Sequence, residues 1–420
     1  MPTFVHAADL HLDSPLRGLD RKEGAPALRI RAASRVALQR MVDAAIEREV
    51  SFVVLAGDLY DTQPAFETYL AFHAQMARLS RAGIPVAIVL GNHDHGGVAP
   101  RAERLPERVH VFPHERPGSL QIVPGAWVHG QSYPTRDVAD DLTANYPAAM
   151  PGALNIGLLH TALDGHSGDH ARYAPSDTAR LAAHGYAYWA LGHVHSHLAL
   201  HERGTHIVYP GNLQGRHARE TGPKGAVFVD YDATGIRAVE HRDFDDVRWH
   251  CIEIDVATVP GDVSALHAVT SQVRQRTSAC RAAGRLAAVR LVLRGRAPKE
   301  LLALGEDEIR ESLRAQFHAD DDLFLERIEL QWRPAAQDEH EVDHYLGKLR
   351  QQLSSSPQLD DESSRTDLHI ERELRSAGGP ELLEAYREAL ATQAKAHGPQ
   401  AALDSALSLV REALMNASGD

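Results

Sequence analysis

Cysteine is scarce in this sequence, and long apolar runs are missing from it. Its 420 residues include two cysteines, Cys251 and Cys280, which are too few for a disulfide-stapled scaffold. One disulfide stays open as an alternative, but two free thiols in a reducing cytoplasm fit the count better. No stretch reaches the ~18 apolar residues of a membrane-spanning helix, and no basic segment leads into an apolar core at the N-terminus, as in a secretory signal. We therefore expect a cytoplasmic protein without a membrane partner.

Positive charge is also in short supply. The chain has 44 Lys and Arg against 57 Asp and Glu, a net charge of −13, which argues against a protein that coats nucleic acid through bulk charge. A nuclease with a local basic groove and metal-holding acidic residues stays open. P-loop and serine-hydrolase patterns are missing, so the chain itself is not expected to hydrolyse ATP or to use a serine nucleophile. By contrast, the 26 histidines are many for this length, and histidine is the commonest nitrogen ligand for metals.

Apolar strands alternate with helices over the first ~240 residues, which is the pattern of an α/β fold. The predicted helices cover 26–49 and 65–81. The predicted strands cover 3–8, 52–56, 85–90, 154–159, 186–191, 207–212 and 225–231. Continuous apolar strands indicate a buried sheet with helices on its faces, and short alternating strands between 109 and 133 make the core a layered mixed β-sheet.

The rest of the chain predicts a smaller α/β unit and a helical tail. After a polar turn, strands at 249–254, 287–294 and 323–332 alternate with helices at 263–281 and 298–316. Beyond Pro334, a polar break at 354–364 precedes two amphipathic helices, 380–397 and 399–417. We therefore expect a core domain at 1–245, a small α/β domain at 246–334, and a linker with a helical tail at 335–420.

Five predicted strand ends carry polar side chains that can bind metal. In chain order they are Asp9 with His11, Asp58, Asn92 with His93, His160, and His193 with His195. Oxygen and imidazole donors without a thiolate suit manganese, iron or zinc rather than copper or an iron–sulfur cluster. Residues i and i+2 of a strand share a face, so the Asp9 and His193 pairs can each offer two ligands to one region. Glycines precede three of these positions, where the backbone must approach a ligand closely.

These residues resemble a known family. Asp9-x-His11, Gly57-Asp58, Gly91-Asn92-His93-Asp94, His160 and Gly192-His193-x-His195 are similar, in order and spacing, to the five motifs of the calcineurin-like metallophosphoesterases. The segments 8–15, 57–61 and 209–225 resemble, more narrowly, the DNA double-strand-break repair nuclease branch. Within it they are similar to the bacterial YhaO type, which is related to the SbcD exonuclease subunit. The resemblance implies a metallophosphoesterase core followed by a small cap domain.

The resemblance also implies roles for individual residues. One metal would be held by Asp9, His11, Asp58 and His195, and a second by Asp58, Asn92, His160 and His193, with the Asp58 carboxylate bridging. His93 would stabilise the pentavalent phosphate or protonate the leaving oxygen, and Asp94 would orient the His93 imidazole. Manganese is the metal that the resemblance implies, whereas the ligand types alone leave iron and zinc open.

Other polar residues near the motifs have weaker assignments. Asp13 and Asp61 are candidates for hydrogen bonds to ligand histidines, although turn-forming aspartates explain them equally well. Arg216 and His217 follow a loop that is expected to border the site, and arginine forks suit phosphate. We treat this pair as candidate DNA-backbone contacts, with a solvated face as the alternative.

Together with the motif residues, the resemblance implies a two-metal phosphodiesterase that cleaves DNA as an exonuclease in double-strand-break repair. By resemblance, its partners would be DNA and an SMC-like, SbcC-like ATPase that receives the tail helices. Two alternatives are a metallophosphoesterase acting on a small nucleotide or phosphoprotein and a catalytically silent DNA-repair scaffold. A homodimer, the exonuclease polarity, the preferred DNA ends and the physiological metal stay open.

Overall fold

The computed structural model describes residues 1–15, 25–94, 105–164, 173–259, 264–297, 301, 304–334 and 408. The helices are α1 Ala25–Glu47, α2 Phe66–Arg81, α3 Thr178–Ala183, α4 Ala265–Ala282 and α5 Glu306–Phe317. The strands are β1 Thr3–Ala7, β2 Phe52–Ala56, β3 Val86–Val89, β4 Val109–Val111, β5 Gly118–Val123, β6 Ala126–Gly130, β7 Leu154–His160, β8 Tyr188–Gly192, β9 Leu198–Glu202, β10 Thr205–Tyr209, β11 Gly225–Asp232, β12 Gly235–Asp243, β13 Val247–Asp255, β14 Leu286–Ala297 and β15 Leu323–Pro334.

Two six-stranded mixed sheets form the core of the fold. The first has the order β12-β11-β1-β2-β3-β4, and the second has the order β5-β6-β7-β8-β10-β9. β1 to β4 are parallel, as are β6, β7, β8 and β10. Antiparallel strands complete both sheets. In the first sheet they are β11 and β12, which lie beyond β1. In the second sheet they are the two edge strands, β5 next to β6 and β9 next to β10. The predicted layered mixed sheet is confirmed.

The two sheets pack face to face, and helices cover their outer faces. One buried cluster joins side chains from both sheets, such as Phe4 of β1 and Tyr188 of β8. A second cluster packs the other face of the first sheet against α1 and α2, with Met41 and Phe72 fully buried. Thr68, Phe72, Met76 and Leu79 form the buried stripe of α2, at the spacing of an amphipathic helix.

This stacking brings the carboxyl ends of parallel strands to one edge of each sheet. Ala56 of β2 pairs with Val89 of β3, and His160 of β7 pairs with Gly192 of β8. Each of these strands therefore ends next to its neighbour, and the loops that follow carry the motif residues. The carboxyl edge is where open α/β sheets place their sites.

Two edge strands escape the sequence prediction, and one helix is shorter than expected. β9 and β12 are half-exposed along most of their length because they lie at sheet edges, and only part of each strand, such as Leu200 of β9 and Val239 of β12, packs against the core. α5 begins at Glu306, after Gly305 with φ of 79°, whereas the sequence predicts a helix from Pro298. Most of 298–303 lies outside the described residues.

The chain divides into two compact units. The first comprises Met1–Cys251, Thr277–Val289 and Asp320–Phe324, and the second comprises Ile252–Arg276, Arg290–Ala319 and, among the described residues that follow, the segment 325–334. A three-stranded sheet has the order β13-β14-β15. The predicted domain boundaries at 245 and 334 stay predictions, and the predicted tail lies outside the described residues except for Ser408.

Two smaller expectations concern the cysteines and membrane spans. Both cysteines are free thiols, with Cys251 exposed and Cys280 buried. Within the parts of the chain that the structure describes, no helix is both long enough and apolar enough to cross a membrane.

The packing of Trp189 on β7 gives a stability prediction. A Cβ at Gly157 would lie 2.2 Å from Cε3 of the fully buried Trp189. We expect Gly157→Ala to lower the free energy of unfolding by ~1–3 kcal/mol, the usual cost of overpacking, as measured by urea denaturation. The same substitution in a Trp189→Leu background should cost clearly less, because the smaller side chain leaves room for the methyl group. Equal costs in the two backgrounds would contradict this packing argument.

Candidate metal centre

The first motif lies in a left-handed turn rather than in a strand. β1 ends at Ala7, and Asp9 and His11 follow with φ angles of 51° and 41°. Asp58 and His193 also have positive φ, at 51° and 105°. Such backbone costs ~1–3 kcal/mol per residue and persists where the surroundings over-determine it. The expectation that strand alternation aligns Asp9 with His11, and His193 with His195, is therefore wrong, because left-handed turns beyond the strands orient these side chains.

Backbone hydrogen bonds between loops fix these turns. The Asp9 amide donates to the Gly57 carbonyl at 3.0 Å, and the His11 amide donates to the Asp58 carbonyl at 3.0 Å. The His193 amide donates to the Asp9 carboxylate at 3.0 Å. The loops after β1, β2 and β8 are thus held together before any metal is considered.

The donor atoms of the motifs converge in two overlapping groups. One group is Asp9, His11 and His195, and the other is Asp9, Asp58 and His160; within each, one donor atom per residue lies within 4.8 Å of the others. The Nε2 atoms of His11 and His195 are 3.1 Å apart. Asp58 Oδ2 lies 3.8 Å from His11 Nε2 and 3.4 Å from His160 Nε2, so its carboxylate faces both groups.

Asn92 and His193 complete the set of seven predicted ligands. Asn92 Oδ1 lies 3.0 Å from His160 Nε2, and the His193 ring centroid lies 5.2 Å from that of His160. All seven residues are buried. The structure brings the predicted ligands together, and their division between two ions stays a prediction. Asp9 belongs to both donor groups, which gives it, like Asp58, a position between them.

The electrostatics of this cluster suit divalent cations. Burial, followed by the negative charge of Asp58, raises the pKa of Asp9 to about 8. Burial alone would lower the pKa of His160, but the Asp58 carboxylate, together with Asp9 and the Ala56 carbonyl, raises that pKa to about 9. Tyr133 Oη is buried without a hydrogen-bond partner among the described residues, and its ring packs edge-on against His160. The buried carboxylates, the imidazole nitrogens opposite them and the unsatisfied Tyr133 hydroxyl form a set of oxygen and nitrogen atoms. Such a set fits hard or borderline metal ions.

The outer nitrogen of each of three ligand histidines lies close to an oxygen atom. His11 Nδ1 lies 2.7 Å from Asp61 Oδ1, His195 Nδ1 lies 2.8 Å from Glu220 Oε1, and His160 Nδ1 lies 2.9 Å from the Ala56 carbonyl. Such contacts would fix each imidazole with its Nε2 available to a bound metal. The role suggested for Asp61 thus agrees with its position.

Two acidic residues near the site differ from their sequence interpretation. Glu220 has no signal in the sequence, because nothing in its local spacing separates it from a surface glutamate. Asp13, in contrast, accepts a hydrogen bond from Thr68 and pairs with Arg35, and no described ligand histidine contacts it.

His93 lies at the rim of the cluster. Its ring centroid is 5.3 Å from that of His11, and about 30% of its side chain is exposed. Its amide donates to Asp58 Oδ1 at 3.0 Å, so the backbone of His93 is tied to the central carboxylate while the imidazole faces outward. This position suits a group that acts on a bound phosphate.

The expected role of Asp94 is wrong. Its carboxylate is buried and accepts hydrogen bonds from the amides of Leu59, Tyr60 and Gly91. Burial, followed by the charge of Asp58, raises its pKa to about 7. The oxygen atoms near His93 Nδ1 belong to Asp61, at 3.4 Å for the carbonyl and 3.5 Å for Oδ1. Asp94 therefore joins the loops after β2 and β3, and Asp61 takes the place beside His93.

Arg216 and His217, the two candidate DNA contacts, have different surroundings in the structure. Arg216 Nη1 lies 3.3 Å from Asp61 Oδ1, and Nη2 lies 3.2 Å from Glu220 Oε1. An arginine engaged by two carboxylates is not the free backbone contact that we expected. The His217 side chain is about 47% exposed, with Nε2 3.6 Å from Glu220, so His217 stays a candidate for a DNA contact.

At two motif glycines, neighbouring atoms occupy the space that a side chain would need. A Cβ at Gly91 would lie 2.2 Å from Asp58 Oδ1, and a Cβ at Gly192 would lie 1.8 Å from the Ala56 carbonyl oxygen. Neither position has room for a side chain, as the sequence pattern predicts.

Comparison with known proteins places this geometry in a family. Residues 2–197 match the family described as calcineurin-like phosphoesterase, and residues 249–333 match the middle domain of metallophosphoesterase YhaO. The chain is 34% identical to the uncharacterized metallophosphoesterase YhaO of Bacillus subtilis (strain 168) over 355 residues, which cover 83% of this chain and 84% of the relative. This chain belongs to the calcineurin-like metallophosphoesterases. The metallophosphoesterase fold and the resemblance to YhaO are thus confirmed.

More distant similarity reaches a DNA repair protein and a phosphatase. The metallophosphoesterase is 27% identical over 289 residues to the DNA double-strand break repair protein Mre11 of Haloferax volcanii. That match covers 66% of this chain and 58% of the relative. A solved dimetal phosphatase from Danio rerio shares 12% identity with a TM-score of 0.34, over 54% of this chain and 92% of the other.

The family and the donor groups together establish a metal-dependent phosphoesterase, a hydrolase. The five motifs of the metallophosphoesterase coincide with the buried donor cluster described above.

The two shared carboxylates give a prediction about metal stoichiometry. We expect Asp58→Ala and Asp9→Asn each to remove most of both bound ions, because each carboxylate faces both donor groups. Metal content after dialysis against Mn²⁺, measured by plasma mass spectrometry, checks this. His217→Ala, an exposed neighbour of the site, is the control and should keep the wild-type content. Two tightly bound ions in Asp58→Ala would contradict the assignment.

Proposed function

We propose that this metallophosphoesterase is a two-metal phosphodiesterase that cleaves DNA, with manganese as its activating metal. The observation that carries the two-metal part is the pair of donor groups that share Asp9, with Asp58 Oδ2 within 4 Å of histidines from both. Two divalent ions held there would polarise the phosphoryl oxygens and lower the pKa of an attacking water. The choice of manganese rests on the family resemblance.

The residues around the donor groups have distinct tasks in this proposal. Asp61 and Glu220 orient the imidazoles of His11 and His195 through their Nδ1 atoms. His93, at the exposed rim, contacts the phosphodiester and donates a proton to the leaving oxygen or stabilises the developing charge. Its amide hydrogen bond to Asp58 keeps this group in register with the central carboxylate.

DNA as the substrate is supported by the Mre11 similarity and by the sequence segments of the repair-nuclease type. An exonuclease acting in double-strand-break repair is the corresponding role. A metallophosphoesterase that acts on a small nucleotide or a phosphoprotein is the alternative, since the same donor set serves either substrate. The buried, complete ligand set argues against a catalytically silent scaffold.

A substrate comparison separates these functions. Purified protein with Mn²⁺ is assayed in parallel on an end-labelled DNA duplex and on bis-(p-nitrophenyl) phosphate, with Asp58→Ala as the background control. Our proposal predicts that both substrates are cleaved and that both activities vanish in the control. Cleavage of the aryl ester alone would favour the small-substrate alternative.

The position of His93 leads to a prediction that separates binding from chemistry. We expect His93→Ala to keep the wild-type metal content and DNA affinity but to lose a factor of ~10²–10⁴ in the rate of DNA cleavage, the usual contribution of a positioned acid. Single-turnover kinetics and metal analysis on the same preparation check both parts. A loss of metal as large as that in His193→Ala would make His93 a ligand instead.

We further propose that an SMC-like ATPase is the protein partner and that the C-terminal segment docks on it. The support is the family resemblance and the sequence pattern of the tail, since the segment lies outside the described residues. Leu403, Leu407, Val410 and Leu414 recur at helical spacing, and amphipathic helices on a polar linker suit a helix-in-groove contact. The alternative is that the apolar faces of the two predicted tail helices, 380–397 and 399–417, pack on each other or on the core.

The partner proposal predicts the effect of disrupting that stripe in the full chain. Leu407→Glu with Leu414→Glu should abolish co-purification with the ATPase and leave manganese-dependent hydrolysis of the aryl phosphodiester unchanged. Glu412→Gln, which alters a charged residue of the same segment, is the control and should keep the complex. Undiminished association of the double variant would show that the stripe does not form the contact.

A further inference from the structure

Asp61, Arg216 and Glu220 form a connected ion-pair cluster, which we call the Arg216 clamp. Its members come from two separate loops, between β2 and α2 for Asp61 and between β10 and β11 for the other two. Asp61 and Glu220 are largely buried, with about 12% and 9% of their side chains exposed. Arg216 is about 22% exposed.

The guanidinium of Arg216 spans the two carboxylates. Nη1 donates to Asp61 Oδ1 at 3.3 Å, and Nη2 and Nε donate to Glu220 Oε1 at 3.2 and 3.3 Å. Nη2 also lies 3.1 Å from His195 Nδ1. The Arg216 amide donates to Glu220 Oε2 at 2.7 Å, so the backbone holds the glutamate as well.

Each of these carboxylates contacts one histidine of the same donor group. Asp61 Oδ1 lies 2.7 Å from His11 Nδ1, and Glu220 Oε1 lies 2.8 Å from His195 Nδ1. The Nε2 atoms of these two histidines are 3.1 Å apart on the other side of the rings. Through these two carboxylates, the Arg216 guanidinium connects the Nδ1 atoms of His11 and His195, the two histidines of one donor group.

Both carboxylates contact the imidazoles at Nδ1, the nitrogen on the outer side of each ring. Each ring is thereby held with its Nε2 toward the other histidine of the donor group, the side on which a metal would bind.

We propose that Arg216 is a positioning residue for the metal ion held by Asp9, His11 and His195, and that it is not a DNA-backbone contact. By tying Asp61 to Glu220 it sets the angle and spacing of two imidazoles, so it raises the affinity for that ion and has little effect on the ion nearer His160. This inference rests on the two-metal part of the proposed function and does not depend on the substrate.

The shape of the guanidinium explains why arginine occupies this position. Its planar fork presents donors in two directions at once, whereas a lysine ammonium is a compact point charge on a flexible stem. Lysine at position 216 would therefore pair with one carboxylate and release the other. Arg219 offers a matched control, because it carries the same charge three residues away with an exposed side chain.

Calorimetric titration of the metal-free full-length chain with Mn²⁺ tests the proposal. We expect wild type and Arg219→Met to bind two ions. In Arg216→Met one ion should bind roughly 10–100-fold more weakly, the usual effect of removing a group that orients a ligand, while the other keeps its affinity within about twofold. Arg216→Lys should recover less than half of the lost binding free energy. Electron paramagnetic resonance at limiting Mn²⁺ should change from a coupled to a mononuclear signal in Arg216→Met.

Further measurements test whether Arg216 positions the metal ligands or contacts DNA. A Glu220→Gln substitution should weaken the same ion, and Arg216→Met should cost less in that background than in wild type, because the two residues share the contact to the His195 imidazole. Duplex affinity of the metal-free chain should be equal for Arg216→Met and wild type, whereas reduced DNA affinity with unchanged metal binding would overturn the proposal. Equal weakening of both ions would also overturn it, and failure of wild type to bind two ions would contradict the proposed function itself.

Discussion

Burial of two carboxylates among four imidazoles is the constraint on which this structure depends. Asp9 and Asp58 are almost fully enclosed, and uncompensated buried charge is costly. The protein offsets that cost with amides of neighbouring loops, the His193 N–H on Asp9 and the His93 N–H on Asp58. Divalent ions would supply the remaining positive charge. Left-handed backbone at both aspartates is the conformational cost of directing them inward.

The layered architecture makes that arrangement accessible. Each sheet contributes parallel strands that end at the same edge, and the two sheets pack face to face through one apolar cluster. Loops that are far apart in sequence, such as those carrying Asp9 and His193, then meet within hydrogen-bonding distance. Rigid strands hold these loops so that their donor atoms converge on the same point.

Partner choice, rather than residue type, separates the correct site assignments from the wrong ones. Asp94 follows His93 directly, yet its carboxylate turns away to accept three backbone amides. Arg216 has the chemistry of a phosphate contact, yet two buried carboxylates engage it first. Leu59 and Tyr60 reach Asp94, and Asp61 reaches Arg216, from a loop that is distant in sequence, and no local pattern reveals these contacts.

The sequence by itself determined most of the strands and helices and the motif residues that follow the strands, because apolar periodicity and residue chemistry are local properties. The lack of room at Gly91 and Gly192 depends on Asp58 and Ala56, which lie in another part of the chain. Only the tertiary structure decided the left-handed turns at Asp9 and His11, the place of Asp9 in both donor groups and the pairing of Glu220 with His195. It also decided β9 and β12, which lie half-exposed at sheet edges and pack only in part against the core. These features depend on which loops the stacked sheets bring together, and hydrogen bonds between distant loops leave no periodic signal in the chain.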